Sequence, residues 1–115
     1  MDEVCLRVIS FTHDLGCLER MKGKFLGVFA DLPIENLQFH DFEPYWKIDG
    51  YGELNITFSA DYLQLVEQIK TRLSNQWEKD VTDSRRAKIF CEDIHFIWLF
   101  GVGRVGGHIS IQHAE

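Results

Sequence analysis

The sequence has few of the features that mark membrane, secreted or disulfide-bonded proteins. It contains three cysteines and two prolines in 115 residues, and no apolar run is long enough to cross a bilayer. The longest run, residues 94–102, is interrupted by His95 and Gly101 and is typical of a core strand. Two acids within the first three residues break the basic-then-apolar order of a secretory signal. We therefore expect a cytoplasmic protein that does not associate with membranes.

Metal-binding and nucleophile motifs are also scarce. The cysteines stand at positions 5, 17 and 91 without a repeating spacing, which favours reduced thiols in a cytosolic core. His13 and Cys17 have the four-residue spacing of a helical metal clip, but zinc would need two further ligands. No serine or cysteine has a recognisable nucleophile elbow or base neighbour. The sequence predicts a protein that is not an enzyme, without catalytic residues, cofactor or metal site.

One glycine-rich segment near the end of the sequence matches a known ligand-binding motif. Residues 101–106 (GVGRVG) match the G-x-G-x-x-G fingerprint of dinucleotide-binding loops, and a predicted strand precedes them. That fingerprint also needs a following helix and an acidic residue about twenty positions further on. Only nine residues remain after Gly106, and they are typical of a strand. We interpret the segment as a hairpin loop with Arg104 at its tip.

Positive charge is scarce, and negative charge is concentrated. Twelve Lys and Arg against eighteen Asp and Glu give a net charge of −6. Phosphate contacts require clustered basic residues, and only residues 85–88 (RRAK) form such a cluster, so we predict no nucleic-acid binding. Residues 31–67 hold eight acids and one base, Lys47, for a net of −7, whereas residues 1–30 come to 0 and residues 68–115 to +1.

The first third of the chain predicts a strand and a helix. Residues 3–11 are apolar enough for a strand that is buried largely on both faces. Thr12 or Asp14 can then cap a helix. The apolar positions of this helix follow helical spacing: Leu15, Leu18, Met21 and Phe25.

The middle of the chain predicts a hairpin with one irregular arm. Residues 53–58 alternate cleanly, with Leu54, Ile56 and Phe58 facing the core. The preceding arm, residues 37–48, does not alternate. It has Leu37 and Phe39 on one face and Phe42, Trp46 and Ile48 on the other. We therefore expect a bulge or kink between residues 40 and 44, or else aromatic rings on both faces.

A second helix and further strands follow. Ser59 is a good N-cap, and an apolar stripe at helical spacing comes after it. The stripe consists of Tyr62, Leu65, Val66, Ile69, Leu73 and Trp77. Residues 78–88 are typical of a surface loop, residues 89–91 of a short strand, and residues 94–100 and 108–112 of two longer strands.

The order of these elements predicts the fold. Strand, helix, hairpin, helix and strand is the order of a ferredoxin-like α+β sandwich, in which two helices cover one face of an antiparallel sheet. The last hairpin would add an extra C-terminal strand. We expect a single domain over residues 1–115.

The middle of the irregular arm, residues 39–46 (FHDFEPYW), combines acids with aromatic rings. Some rings must be core, but a small sheet cannot bury rings on both faces, and exposed rings among acids are typical of an interface that binds a basic protein. The candidate partner-binding residues are Asp41, Glu43, Tyr45, Trp46, Asp49, Tyr51 and Glu53. An ordinary solvated acidic edge remains the alternative, as does acid–base chemistry by Asp41 and Glu43.

The chain resembles the cytoplasmic immunity proteins of contact-dependent growth inhibition and related polymorphic toxin systems. The resemblance lies in its size, acidity, α+β order and aromatic-rich strands, IHFIWLF followed by a glycine turn and HISIQ. It implies a non-enzymatic protein that binds one cognate toxin domain, often a basic nuclease, and blocks its active site or substrate entry.

Two other classes stay open. One is a small ferredoxin-like regulatory or ligand-binding module that dimerises through its sheet, and a homodimer is compatible with either reading. The other is a small enzyme that uses the acids or His40, for which the sequence assembles no nucleophile, base and oxyanion donor.

Overall fold

Alternating apolar and polar residues build the central strands of an antiparallel sheet. The computed structural model describes residues 2–73, 91–101 and 107–110, the last four by their backbone alone. The elements are β1 (Asp2–Ser10), α1 (Leu15–Phe29), β2 (Glu35–Phe39), β3 (Glu43–Pro44), β4 (Gly52–Ala60), α2 (Tyr62–Leu73), β5 (Ile94–Gly101) and β6 (Gly107–Ser110).

The sheet has the strand order β2-β4-β1-β5-β6, and all of its pairs are antiparallel. The short strand β3 pairs with β4 along the same edge as β2. The predicted α+β architecture is confirmed, and the order is compatible with a ferredoxin-like sandwich to which β6 adds a C-terminal strand. No helix among the described residues is both long and apolar enough to span a bilayer.

The core lies between the two helices and one face of the sheet. β4 is buried at every second residue, with Leu54, Ile56 and Phe58 inward as predicted. β1 presents three aliphatic side chains to the same side, and β5 presents its own. The strand and helix residues of this cluster include Val4, Leu6, Val8, Ile97, Leu99, Cys17, Met21, Phe25, Phe29, Tyr62, Leu65, Ile69 and Leu73.

Helix α1 differs from its prediction at the start. Leu15 is 72% exposed, because the buried stripe runs at four-residue spacing through Cys17, Met21, Phe25 and Phe29. Asp14 occupies the N-cap position, but its side chain makes no capping hydrogen bond. Helix α1 therefore turns Leu15 toward solvent, although its apolar character predicts a position in the core.

Helix α2 has the predicted stripe but not the predicted cap. Ser59 belongs to β4, which continues to Ala60, so its proposed N-cap role is wrong. The ladder pairs Ala60 with Asp2, and the Asp2 carboxylate accepts a hydrogen bond of 3.2 Å from the Tyr62 N–H. The predictions for Trp77, for residues 78–90, for Arg104 and for residues 111–112 lie outside the described residues.

The predicted kink is confirmed between β2 and β3. Residues 40–42 interrupt the strand, where the four-residue step from Phe39 to Glu43 opposes a three-residue step from Ile56 to Glu53, and the Phe42 ring packs on the core together with Leu37 and Phe39. The placement of Phe42 on the opposite face is therefore corrected. Its ring lies so close to Gly52 that a Cβ on that glycine would approach it to 2.5 Å.

The sheet face that points away from the helices is called here the open face, and the aromatic side chains that β5 places on it were not predicted. Phe96 and Trp98 of β5 lie on it half-buried, and Phe100 is 40% exposed. β1 likewise buries its inward residues and Ile9, whereas Cys5 and Arg7 on the open face are half-buried. Neither strand is buried along its whole length on both faces, because no helix among the described residues packs on the open face.

A strand, β6, follows the glycine motif of residues 101–106. β6 begins at residue 107 and pairs antiparallel with β5, so a strand follows where a dinucleotide-binding loop requires a helix. A hairpin connection agrees with this pairing.

Candidate functional site

The loop that joins β3 to β4, residues 45–51, is called here the hairpin loop. The Tyr45 N–H donates to the Tyr51 carbonyl at 2.8 Å, and the Tyr51 N–H donates to the Ile48 carbonyl at 3.2 Å. Gly50 has a φ of +84°, a left-handed conformation that glycine adopts without steric cost. Two backbone hydrogen bonds and one glycine therefore close the loop.

Tyr51 attaches this loop to the open face of the sheet. Its ring centroid lies 5.6 Å from that of Phe11 and 5.4 Å from that of His95, both in edge-on contacts. Ile9 on the same face is 1% exposed, although it does not belong to the main core cluster. Apolar packing on this face therefore continues beyond the main core, and Tyr51 belongs to it.

Arg7 fixes the other side of the loop. Its guanidinium donates two hydrogen bonds to Glu53, from Nε at 3.0 Å and from Nη2 at 3.2 Å. The guanidinium carbon lies 4.9 Å from the centroid of the Trp98 ring and 5.8 Å from that of Tyr45. Ion pairing and cation–π contacts thus connect β1, β4, β5 and the start of the loop.

The negative charge of Glu53 is paired with Arg7 within the molecule. Burial alone would raise the pKa of this carboxyl group, but hydrogen bonds from Arg7 and Asn55 outweigh burial and hold the pKa below its ordinary value. Glu53 is therefore ionised and paired rather than available to a partner.

Trp46 is the most solvent-exposed large hydrophobic side chain of the loop, at 77%. The Lys47 ammonium lies 5.1 Å from the centroid of its ring, and Ile48 is also exposed. An exposed tryptophan beside an isoleucine offers apolar area that a partner could bury.

Three exposed acids lie in the loop or just before it in the chain. Asp41, Glu43 and Asp49 are exposed, and within the described residues none of their side chains has a hydrogen bond or an ion pair. Asp31, by contrast, is bonded to Arg72, which also donates to the Val28 carbonyl. Of the six acids of residues 31–67 that have no ion pair within the described residues, Asp41, Glu43 and Asp49 lie in or just before the hairpin loop, and Glu35, Asp61 and Glu67 lie elsewhere.

The seven predicted site residues divide into two groups. Asp41, Glu43, Trp46 and Asp49 face solvent. Tyr45, Tyr51 and Glu53 are half-buried and take part in contacts that hold the loop.

Sequence reasoning missed the residues on which the loop rests. A signal existed at Arg7, since an arginine in the middle of an apolar strand requires an acidic partner or a solvent-facing position. Finding Glu53 needed the register of β1 against β4, which opposes Arg7 to Asn55, two residues along the strand from Glu53. Trp98 was read as core because β5 has too few polar residues to reveal its faces.

The three cysteines are buried or half-buried, and His13 and His40 hydrogen-bond to other residues of the protein. Burial raises the pKa of Cys5, Cys17 and Cys91, which is the reverse of what a thiolate nucleophile needs. His13 donates to the Phe42 carbonyl at 2.9 Å, and His40 hydrogen-bonds Thr57 at 2.8 Å. In the part of the chain that the structure describes, no group of three or more His, Cys, Asp or Glu could hold a metal ion.

A concavity lies on the open face at the end away from the hairpin loop. Its volume is about 240 Å³, and polar side chains from β1, β2 and β4 line most of it. These are Glu3, Asn36, Gln38, Thr57 and Ser59. Asn36 has a φ of +57° at the irregularity where the pairing of β2 with β4 shifts register.

Comparison of the chain with protein-family models, curated proteins and solved structures gave no match. The site and its surroundings therefore supply the argument for function.

Proposed function

We propose that this protein is a non-enzymatic inhibitor that binds a basic protein domain through the hairpin loop and the acids beside it. The observation that carries the proposal is Trp46, 77% exposed on a closed loop, with the exposed acids Asp41, Glu43 and Asp49 in or just before that loop. Among proteins of this kind we favour an immunity protein that neutralises a cognate toxin domain with the character of a basic nuclease. Three free cysteines suit a reducing cytoplasm, where such a protein would act.

Charge supports a basic partner. Of the eight acids in residues 31–67, Asp31 and Glu53 are paired with arginines, and the other six have no ion pair within the described residues. Half of those six, Asp41, Glu43 and Asp49, lie in or just before the loop. Carboxylates placed in this way attract a cationic surface from a distance and compete with the phosphate that a nuclease binds there.

Rigidity supports binding by a preformed loop. The Tyr51 ring packs against Phe11 and His95, and Tyr45 lies beside Arg7, so the loop is held before a partner arrives. A preorganised loop loses little conformational entropy on binding, and Trp46 can then enter a pocket as the anchor.

The chemistry of the site favours binding over catalysis. The thiols are half-buried or buried with raised pKa values, and Glu53 is occupied by Arg7. Asp41, Glu43 and Asp49 make no side-chain hydrogen bond within the described residues, which suits electrostatic contact better than proton transfer.

Genetic context and co-expression test this proposal. The expected arrangement is a large secreted protein encoded directly upstream, with a C-terminal domain that kills cells unless the full chain is co-expressed. The Trp46→Ala variant should lose protection, whereas Leu63→Ala, also at an exposed apolar residue but on α2, should keep it. A non-toxic upstream domain, or equal protection by Trp46→Ala, would contradict the proposal.

A further inference from the structure

The concavity on the open face is not part of the surface that the proposed function uses. Its volume is about 240 Å³, below the ~300 to 1,000 Å³ of pockets that enclose drug-sized ligands. It therefore suits one side chain or a small polar molecule better than a nucleotide. The side chains that line it come from three neighbouring strands, β1, β2 and β4.

Two carboxylates stand at this end of the open face. Ser59 of β4 is paired with Glu3 of β1 on one side and with Glu35 of β2 on the other. Directly opposed residues of neighbouring strands point to the same face, so the two acids flank Ser59 with Cα atoms about 10 Å apart. Both acids are exposed, and within the described residues neither has an ion pair. A cation in the concavity would be attracted by both.

The neutral groups of the lining are rich in hydrogen-bond acceptors. Asn36, Gln38, Thr57 and Ser59 contribute two amide groups and two hydroxyl groups. In the part of the chain that the structure describes, no lysine or arginine lines the concavity. Acceptors placed around a carboxylate favour a cation that donates several hydrogen bonds, and they disfavour an anion.

The other end of the same face already binds a guanidinium group, that of Arg7. Glu53 accepts two hydrogen bonds from it, and Asn55 donates to the same carboxylate at 3.2 Å. The Trp98 ring centroid lies 4.9 Å from the guanidinium carbon. An acid, an amide and a ring thus surround this guanidinium.

The concavity brings together the same three kinds of group. Glu3 supplies the acid, and Asn36 supplies one of the amides. Phe100, which is 40% exposed, is paired with Cys5, two residues along β1 from Glu3, so it is a diagonal neighbour of Glu3 on the open face. A planar guanidinium can bond a carboxylate and stack on a ring, whereas an ammonium group is a compact point charge.

We propose that this concavity binds a guanidinium group, presented as an arginine side chain by the basic protein partner. Glu3 would accept hydrogen bonds from it, and the Phe100 ring would contact it from the side of β5. The protein source of the arginine rests on the proposed function, but the guanidinium chemistry does not. The distance along β4 from Glu53, next to the hairpin loop, to Ser59 is about 20 Å, so one partner could contact both places.

Amide chemical shifts of the isotope-labelled full chain, titrated with N-acetyl-L-arginine amide, test this without the partner. We expect saturable shifts at Glu3, Asn36, Thr57 and Ser59, with a dissociation constant of about 1 to 10 mM, since the site is exposed. The uncharged citrulline derivative and the lysine derivative should each bind at least about fivefold more weakly. No saturable shifts at these residues, or equal binding of either derivative, would overturn the proposal.

Two variants and a second ligand complete the test. Glu3→Gln should weaken binding of the arginine derivative at least about fivefold, whereas Glu67→Gln, the same change at an exposed acid of α2, should leave it unchanged. Undiminished binding by Glu3→Gln would overturn the site. Free L-arginine should bind no more tightly than the derivative, and tenfold tighter binding would show a site for the free amino acid instead of a protein side chain. Failure of the proposed function would appear separately, in the co-expression assay with Trp46→Ala.

Discussion

Arg7, together with Tyr51, attaches the hairpin loop to the sheet. Its guanidinium bonds Glu53 twice and lies near the rings of Tyr45 and Trp98. A lysine cannot reproduce this arrangement, because an ammonium group is neither bidentate nor planar. The pair is half-buried, so its contribution exceeds that of a fully exposed ion pair.

A double-mutant cycle on Arg7→Met and Glu53→Gln measures this pair. We expect each single variant to lower the free energy of unfolding by about 1 to 2 kcal/mol and the coupling to be about 1 kcal/mol. Urea denaturation followed by circular dichroism gives the four values. Arg7→Lys should be nearly as unstable as Arg7→Met, and full recovery by lysine would show that the bidentate geometry contributes nothing.

Three carboxyl groups make stability depend on pH. Hydrogen bonds from arginines lower the pKa of Asp31 and Asp93, and those from Arg7 and Asn55 lower the pKa of Glu53 against the effect of burial. A pKa that is lower in the folded state means that the unfolded chain binds protons first as the pH falls.

The stability contributed by these groups should therefore be complete above their ordinary pKa values of 3.8 and 4.5, and it should be lost as the pH falls through the lower folded-state values. Urea unfolding at pH 6 and at successive lower pH values measures the loss. Glu53→Gln should lose less stability over that range than the wild type. An identical pH dependence in the variant would exclude Glu53 as a contributor.

At the scale of elements, one glycine stands where no larger residue fits, and others stand where a side chain has room. A Cβ at Gly52 of β4 would lie 2.5 Å from the Phe42 ring and 2.8 Å from the Ser10 hydroxyl. Gly23 and Gly27 of α1 have nothing within 4 Å of the same position. Glycine is thus required at position 52, where β4 passes close to the Phe42 ring, whereas the glycines of α1 only add flexibility to the unfolded chain.

The corresponding alanine variants should change stability in opposite directions. Gly23→Ala and Gly27→Ala should each raise the free energy of unfolding by about 0.5 to 1 kcal/mol. Gly52→Ala should lower it by about 1 to 3 kcal/mol, because Phe42 must move out of its packed position. Thermal denaturation of the three variants checks the signs, and a neutral Gly52→Ala would contradict the described packing of Phe42.

Local patterns predicted the elements whose two faces differ in polarity. Strand β4 and helix α2 followed from alternation and from a stripe at helical spacing, because each has one apolar and one polar side. The start of α1 was misjudged, since Leu15 is apolar but exposed. The faces of β5 could not be assigned, because Phe96 and Trp98 are as apolar as the core residues Ile97 and Leu99 beside them.

At the scale of the whole molecule, the candidate site depends on distant parts of the chain meeting at one end of the sheet. Sequence located the acids and rings of residues 41–53, but it did not reveal which were internal. Pairing of β1 with β4 neutralises Glu53, and contacts with Phe11 and His95 occupy Tyr51. The surface left for a partner is therefore Trp46 with Asp41, Glu43 and Asp49.

The central claim is that these unpaired acids and Trp46 bind a basic partner. The most direct measurement is the association rate, at low and high salt, between the full chain and the toxin domain that the proposed function expects to be encoded beside it. Reversing Asp41 and Glu43 to lysine should slow association about tenfold or more at low salt and flatten its salt dependence. The Glu19→Lys, Glu67→Lys control has the same charge change on the helices and should keep most of the rate. Equal rates and equal salt dependence for the two double variants would contradict the account.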